Sequence, residues 1–282
     1  MKIAEARAVV TGGASGLGLA VARLIANAGG RVTLLDVQEG PGHASAAAIG
    51  SQAGFAKCDV TSEEEVKAAM DAARSAMGSI NLLVNCAGVI GAGRVLGKSG
   101  PMAGDFFTRV VHINLIGTFL CDKTAAALMQ ANTPGPDGER GVIVHTSSVA
   151  AFEGQIGQAA YAATKAAVAG MTLPIARELA MFGIRVMSLA PGIFGTPMLG
   201  AMPQDVQDSL GKQVPFPPRL GKPEEFAAMP QDVQESLGKQ VPFPPRLGRP
   251  EEFASMVQTI FENGYLNGET IRLDGAIRMQ PK

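Results

Sequence analysis

Tyr161 and Lys165 stand four residues apart in Tyr161-Ala162-Ala163-Thr164-Lys165, inside an Ala-rich stretch of helical character. Side chains at i and i+4 share one helix face. A lysine ammonium beside a phenol favours the phenolate, and bringing a phenol from about 10 to near 7 takes roughly 4 kcal/mol of preferential stabilisation. The pair therefore predicts a tyrosine that exchanges protons at neutral pH. By itself the spacing is common, and a surface pair on a helix is the plain alternative. Ser148 adds to the pattern. It follows the strand predicted over Val142 to Ser147, at the carboxyl edge where such sheets bind ligands, and its hydroxyl is placed to polarise a substrate carbonyl beside Tyr161. Asn114, in the helical stretch Phe106 to Met129, is disfavoured in a helix interior and is expected to hold a water that connects Lys165 to solvent.

A second set of residues reads as a phosphate cradle. Thr11-Gly12-Gly13-Ala14-Ser15-Gly16-Leu17-Gly18 lies between an apolar run, Ala6 to Thr11, and a segment with Leu17, Leu19, Ala20, Leu24 and Ile25 at helical spacing. Glycines there let the backbone approach a pyrophosphate, which the N-terminal N–H groups and the positive end of the helix dipole would meet. The spacing, G-x-x-x-G-x-G, is wider than the usual dinucleotide fingerprint, and an ordinary tight turn is the alternative. Asp36 closes the second strand, 18 residues past Gly18, where a carboxylate accepts from a ribose hydroxyl and repels a 2'-phosphate. No Arg or Lys lies in the turn and Val37 follows Asp36, so NAD is expected over NADP. Asp59, with Val60 behind it, is placed to meet an adenine amino group, or serves only as a loop acid. Asn85-Cys86-Ala87-Gly88 ends the fourth strand: Ala87 and Gly88 leave room for a flat cofactor, Asn85 is expected to tie neighbouring strands, and Cys86 to be a small buried hydrophobe.

These residues need a scaffold, and the chain supplies one. Predicted strands at 6–11, 31–36, 55–58, 80–85, 142–147, 184–189 and 269–273 alternate with helical segments, near 41–49 and from a Thr61/Ser62 cap through Met77 among them. Near-continuous apolar strands in this alternation predict an α/β fold, a single Rossmann-type doubly wound parallel sheet with helices on both faces, over 1–282 as one domain. The 282 residues, 46% hydrophobic and 17% charged, suffice for such a core. A net charge of -1 offers no cationic surplus for nucleic acid or an anionic membrane. Three cysteines without a C-x-x-C pair, and three histidines (His43, His112, His145) without ligand spacing, predict no disulfide framework and no metal site. The histidines read as structural or surface groups.

One feature is unusual. Residues 202–228 recur as 229–255 with three changes, Asp208/Glu235, Lys222/Arg249 and Ala228/Ser255. Two copies do not make a solenoid. Surplus loop length costs little closure entropy, so a surface insertion is expected, with an enlarged lid over the site as the alternative. The first copy is expected to continue a lid from Thr196, and Arg249-Pro250-Glu251-Glu252-Phe253 to open the helix before Leu266.

Taken together, T-G-G-A-S-G-L-G, N-C-A-G, Asn114, Ser148, Y-A-A-T-K and P-G-I-F-G-T resemble the short-chain dehydrogenase/reductase family, in order along nearly the whole chain. Cys86 departs from the commoner N-N-A-G. The resemblance implies that Ser148 orients the carbonyl, that Tyr161 donates or accepts the proton, that Lys165 binds the nicotinamide ribose, and that Asn114 holds a relay water. It further implies that Pro191, Gly192, Ile193 and Thr196 hold the nicotinamide carboxamide, and that the pro-S hydride is transferred. S-V-A-A-F-E-G-Q-I-G-Q-A-A-Y, V-P-F-P-P-R-L-G and L-N-G-E-T-I-R-L-D-G-A-I-R-M-Q-P are similar to the type 2 3-hydroxyacyl-CoA dehydrogenase subgroup. That similarity implies NAD-dependent oxidation of a 3-hydroxyacyl-CoA, Gln155 near the substrate, and a homotetramer. Met198 and Met202 would line the apolar pocket, and Arg94, Lys98, Lys212 and Arg219 stand near the mouth for the CoA phosphates. With no targeting segment before the first strand, a cytoplasmic enzyme is expected. A hydroxysteroid or general alcohol dehydrogenase, and an NAD-binding scaffold impaired by the duplication, remain as alternatives.

Overall fold

The computed structural model describes residues 1–98, 100–135, 137–196 and 238–281. Seven strands, β1 (Arg7–Thr11), β2 (Arg31–Asp36), β3 (Ala53–Lys57), β4 (Leu82–Asn85), β7 (Gly141–Thr146), β8 (Ile184–Pro191) and β9 (Thr270–Leu273), form one sheet in the order β3-β2-β1-β4-β7-β8-β9. Every pairing in it is parallel. Strands β5 (Leu96–Gly97) and β6 (Gly100–Pro101) make a small separate antiparallel pair. The order reverses between β1 and β4, the switch point where open parallel sheets bind ligands beyond their carboxyl ends.

Both sheet faces are covered, which explains strands that are apolar on consecutive residues. On one face Val10, Leu34, Val84 and Val144 pack with Val21 and Ile25 of α1 (Gly16–Asn27) and with Phe253 and Phe261 of α7 (Pro250–Glu262). On the other, Val9, Leu35, Leu83 and Ile143 pack with Val66 and Met70 of α3 (Glu63–Met77), with Cys121 and Met129 of α5 (Gly117–Met129), and with Ala176 of α6 (Ala159–Leu179). Helix α2 (Glu39–Ile49) leans on β3 through His43, whose ring meets Phe55 edge-on at 4.7 Å. Ser62 caps α3 by accepting from Glu65 N, as its position before three glutamates predicts.

One sequence expectation is revised. The stretch Phe106 to Met129 is not one regular helix: α4 (Gly104–Val111) passes through a π turn, His112–Ile116, before α5. The extra residue in that turn accompanies a fully buried Asn114, and such turns favour functional sites. The duplication lies only partly within the described residues. All of the first copy and the start of the second, 229–237, lie outside the described residues, and with them fall Met198, Met202, Lys212, Arg219 and the expected start of the lid. The rest of the second copy is built into the fold. Gly248 N donates to Ile193 O at 2.9 Å, Gly195 N donates to Gly248 O at 3.0 Å, and Arg249-Pro250-Glu251-Glu252-Phe253 opens α7 with Phe253 fully buried, as expected. No helix among the described residues is long and apolar enough to cross a membrane.

Candidate active site

Beyond the carboxyl ends of β1, β2, β4, β7 and β8 opens a cavity of about 1470 Å³. It is lined by Gly12, Ser15, Gly16, Leu17, Gly18, Asp36, Asp59, Val60, Ala87, Gly88, Ser148, Gln155, Tyr161, Lys165, Pro191, Gly192, Ile193 and Thr196. Of the site residues singled out from the sequence, Asn85 and Asn114 stay behind the wall, both buried, and Lys98, unlike Arg94, is not among the lining residues.

At one end, Gly12 takes φ +63, and a Cβ there would lie 2.8 Å from the backbone of Cys86 and Ala87; one on Gly18 would lie 2.5 Å from Gly12 O. Only glycine lets these segments meet. Thr11 Oγ1 locks the junction by accepting from Cys86 N and Ala87 N, both at 3.1 Å. No side chain caps α1, so the first-turn N–H groups of Gly16, Leu17 and Gly18 open onto the cavity they line. That donor set fits the pyrophosphate of a dinucleotide. Asp36 serves two ends. It receives Ala14 N at 3.1 Å and Gln38 N at 3.0 Å, one on each oxygen, which fixes the glycine turn against β2. Each oxygen keeps acceptor capacity for a ribose hydroxyl, and its neighbours along the wall, Leu35, Val37 and Gln38, carry no positive charge. Asp59 holds Thr61 N at 2.9 Å and Thr61 Oγ1 at 2.7 Å on one oxygen, leaving the other without a side-chain or backbone donor among the described residues.

The far end is built on β7 and α6. Ser147 Oγ donates to Lys165 O at 2.8 Å, and Lys165 Nζ donates to Thr146 O at 2.7 Å, so helix and strand are stitched where the reactive groups emerge. Ser148 Oγ accepts from Ala150 N at 3.1 Å and shares a hydrogen bond with Tyr161. The expectation that Lys165 makes the phenol acidic is not met in this arrangement. Burial pushes Tyr161 above its ordinary value, with the Ser148 hydrogen bond opposing, because the ammonium lies 5.8 Å from the ring centroid and is aimed at Thr146 O. Burial lowers Lys165 itself to about 8. The arrangement holds a protonated phenol beside a serine hydroxyl, a hydrogen-bond donor pair suited to a carbonyl oxygen.

Asn114 is more committed than its type and place foretell. Its Oδ1 accepts from Val89 N at 2.8 Å, and its Nδ2 donates to Val89 O at 3.0 Å and Thr164 Oγ1 at 3.2 Å. The side chain pins the loop after β4 to α6, so its amide has no further hydrogen to give a relay water. Asn85 ties its strand to a helix rather than to a neighbouring strand: Nδ2 donates to Asp122 Oδ1 at 2.8 Å. Asp122 Oδ2 lies 2.9 Å from His145 Nε2, and His145 Nδ1 lies 3.1 Å from Thr172 Oγ1. His145 is thus structural, as expected. His112, by contrast, lines the cavity, together with Asp105, Thr108 and Arg109 of α4, Gln240, and Met279 near the C-terminus. His112 is thus neither purely structural nor simply at the surface, contrary to the sequence expectation, and the other five are not singled out from the sequence. For Asp105, Thr108, Arg109 and His112 the signal is their i, i+3 and i, i+4 spacing on one helical stretch; Gln240 and Met279 arrive from distant chain and leave none. Cys86 is pushed up to about 11 by burial and carries no thiolate character, in keeping with a packing role.

Residues 6–207 match the family model for short chain dehydrogenases. The chain belongs to the short-chain dehydrogenase family. Among this dehydrogenase's relatives, 3-hydroxyacyl-CoA dehydrogenase type-2 of Bos taurus is 48% identical over 97% of the chain and 95% of the relative. The protein of that name from Drosophila melanogaster is 47% identical over 99% and 100%. The crystal structure of 3-hydroxyacyl-CoA dehydrogenase type-2 from Mycobacterium avium superposes with a TM-score of 0.84 at 37% identity, covering 99% of this chain and 98% of that one. A short-chain dehydrogenase on this sheet is an oxidoreductase that uses a nicotinamide cofactor.

Proposed function

We propose that this dehydrogenase interconverts 3-hydroxyacyl-CoA and 3-ketoacyl-CoA with NAD. The observation that carries the reading is one cavity with an uncapped helix start and Asp36 at one end and Ser148, Tyr161 and Lys165 at the other. The type-2 names of its relatives supply the substrate class. Bound nicotinamide would accept or supply the hydride. In reduction, Ser148 orients the carbonyl and Tyr161 Oη gives its proton to the oxygen; in oxidation the phenolate takes the hydroxyl proton. Lys165 supplies positive charge beside the phenol, and Asn114 sets the loop carrying Val89. Gln155 contacts the substrate side, held by donating Nε2 to Gln280 O at 3.0 Å. Gly12, Ser15, Gly16, Leu17 and Gly18 would take the pyrophosphate, Asp36 and Asp59 the adenosine, and Pro191, Gly192, Ile193 and Thr196 the carboxamide. Arg94 and Arg109 line the same cavity and offer cations to the CoA phosphates. Ile116 of the π turn and Phe119 of α5, both exposed, offer apolar surface to a homotetramer.

The test is NADH oxidation with acetoacetyl-CoA. Turnover is expected at roughly 1–1000 per second, with kcat/KM for NADPH at least about tenfold lower, the equivalent of one lost charge-compatible contact. No turnover with any 3-ketoacyl-CoA, alongside turnover of a steroid or simple ketone, would overturn the substrate assignment.

A further inference from the structure

Residues 274–281 reach the substrate end of the cavity, and the Glu153 carboxylate gathers most of the side-chain contacts that hold them there. Glu153, two residues before Gln155, receives Arg272 Nη1 at 2.8 Å and Nη2 at 3.2 Å, and Met279 N at 2.9 Å. Arg278 Nε lies 3.4 Å from the same carboxylate. Arg272 also stacks over Phe152, its guanidinium carbon 5.4 Å from the ring centroid, and donates to Ile277 O and Asp274 Oδ2. One backbone tie and one side-chain tie complete the fastening: Ile156 N donates to Pro281 O at 3.0 Å and Gln155 Nε2 to Gln280 O at 3.0 Å. The reversal that brings the tail round is costly in conformation. Gly275 has φ 58 and Ala276, the one described non-glycine residue with positive φ, has φ 66. Such a turn persists where its surroundings over-determine it.

What the fastening delivers is Met279. Its side chain packs with Ile193 against Val149, Val241 and Ile277, and Met279, Ile193 and Val149 all face the cavity. Val149 adjoins Ser148, so this apolar wall begins one residue from the proposed carbonyl-orienting hydroxyl. We propose that Met279 is a specificity-determining residue that limits acyl-chain length, and that Glu153 is the positioning residue that sets it. The inference rests on the 3-hydroxyacyl-CoA reading. A flexible thioether at a wall fills space without rigid shape, so the limit is a matter of volume. Each methylene accommodated or refused in an apolar pocket changes kcat/KM by about 10–200-fold.

The experiment measures kcat/KM of the full-length enzyme for 3-ketoacyl-CoA substrates of four, six, eight and ten carbons. Met279→Ala is expected to raise the eight-to-four-carbon ratio at least about tenfold, and Met279→Phe to lower it. Glu153→Gln should shift the ratio in the direction of Met279→Ala, chiefly through KM, and the double variant Glu153→Gln/Met279→Ala should go no further than Met279→Ala alone. Wild-type activity on acetoacetyl-CoA with a ratio unmoved by both Met279 variants would overturn the inference and leave the reaction standing. Additive effects of Glu153→Gln and Met279→Ala would remove Glu153 from its positioning role. Absence of wild-type activity at every chain length would remove the reaction itself.

Discussion

The two ends of the cavity are made in different ways. The end with Gly12, Gly18 and Asp36 is assembled within the first 36 residues, from two adjacent strands and the helix between them. Its turn is fixed by a short-range contact, Ala14 N to Asp36 across 22 residues, and one junction, Thr11 Oγ1 to Cys86 N and Ala87 N, ties it to the end of β4. The end with Ser148 and Tyr161 is walled by Val149, Ala150 and 155–158, by Ile193 beside the packed second copy at Gly248, and by a tail whose Met279 N reaches Glu153 across 126 residues. A cofactor common to many substrates is met by local, rigid turns; the substrate is met by long-range pieces that can be exchanged separately. The difference teaches where to expect fixed chemistry and where to expect adjustable selectivity.

The comparison can be broken most sharply at the junction of the ends. Replacing Ser148 by Ala removes a donor from the carbonyl oxygen and is expected to lower kcat by about 10²–10³-fold, with NADH affinity in fluorescence titration unchanged. A kcat within threefold of wild type would place carbonyl orientation elsewhere. At the cofactor end, Asp36→Asn removes the charge that repels a 2'-phosphate and should narrow the NADH-over-NADPH preference by at least about tenfold, one charge-assisted hydrogen bond's worth. A preference unmoved would confine Asp36 to its backbone contacts. Behind both ends, Asp122→Ala leaves Asn85 Nδ2 and His145 Nε2 without their partner. Each stranded donor costs about 1–3 kcal/mol, so urea denaturation should show a loss of about 2–6 kcal/mol with the same denaturant slope. A loss under about 1 kcal/mol would show that the pair contributes little to stability.

The pH dependence tests the revised electrostatics. Lys165, lowered to about 8, loses its charge as pH rises through that value, and Tyr161, raised by burial, keeps its proton across neutral pH. In the free enzyme, kcat/KM for reduction should hold steady from pH 6 to 7.5 and decline above about 8, whereas oxidation, which needs the phenolate, should climb with pH. The stability sign follows from the same shift. Because the folded pKa of Lys165 lies below its ordinary value, the unfolded chain binds more protons between about 8 and 10.5, and Lys165's contribution to stability rises with pH across that window. A reduction rate that climbs through pH 8 would contradict the lysine assignment. The smallest effect is expected from deleting 202–228. Shortening the span between Thr196 and Gly238 by 27 residues should change unfolding free energy by about 1 kcal/mol and leave the acetoacetyl-CoA reaction running. Activity that emerges only after deletion would instead make the repeat an inhibitory lid.

Much of this architecture was legible in the sequence because it is written locally. Near-continuous apolar strands, the glycine turn and the Ser62 cap each depend on a few neighbouring residues, and the structure places them within a residue or two of expectation. The π turn was not legible, since one extra residue in a helix changes no apolar period over so short a run. The Asp122–His145 contact joins a helix to a strand through the fold, and neither residue signals the other. The direction of the Tyr161 shift was misjudged for the same reason: the i, i+4 spacing shows that Lys165 shares its face, but not that Thr146 O claims the ammonium or that burial outweighs it. Glu153 and Met279 were passed over because a clamp closed by chain 119 residues away has no sequence period.

The central claim is that Tyr161 exchanges the proton while the cofactor end stands independent of it. Tyr161→Phe, assayed for acetoacetyl-CoA reduction and titrated with NADH, is expected to lose at least about 10²-fold in kcat, the lower range for a positioned general acid, while binding NADH as the wild type does. Turnover within a few-fold of wild type would contradict the account.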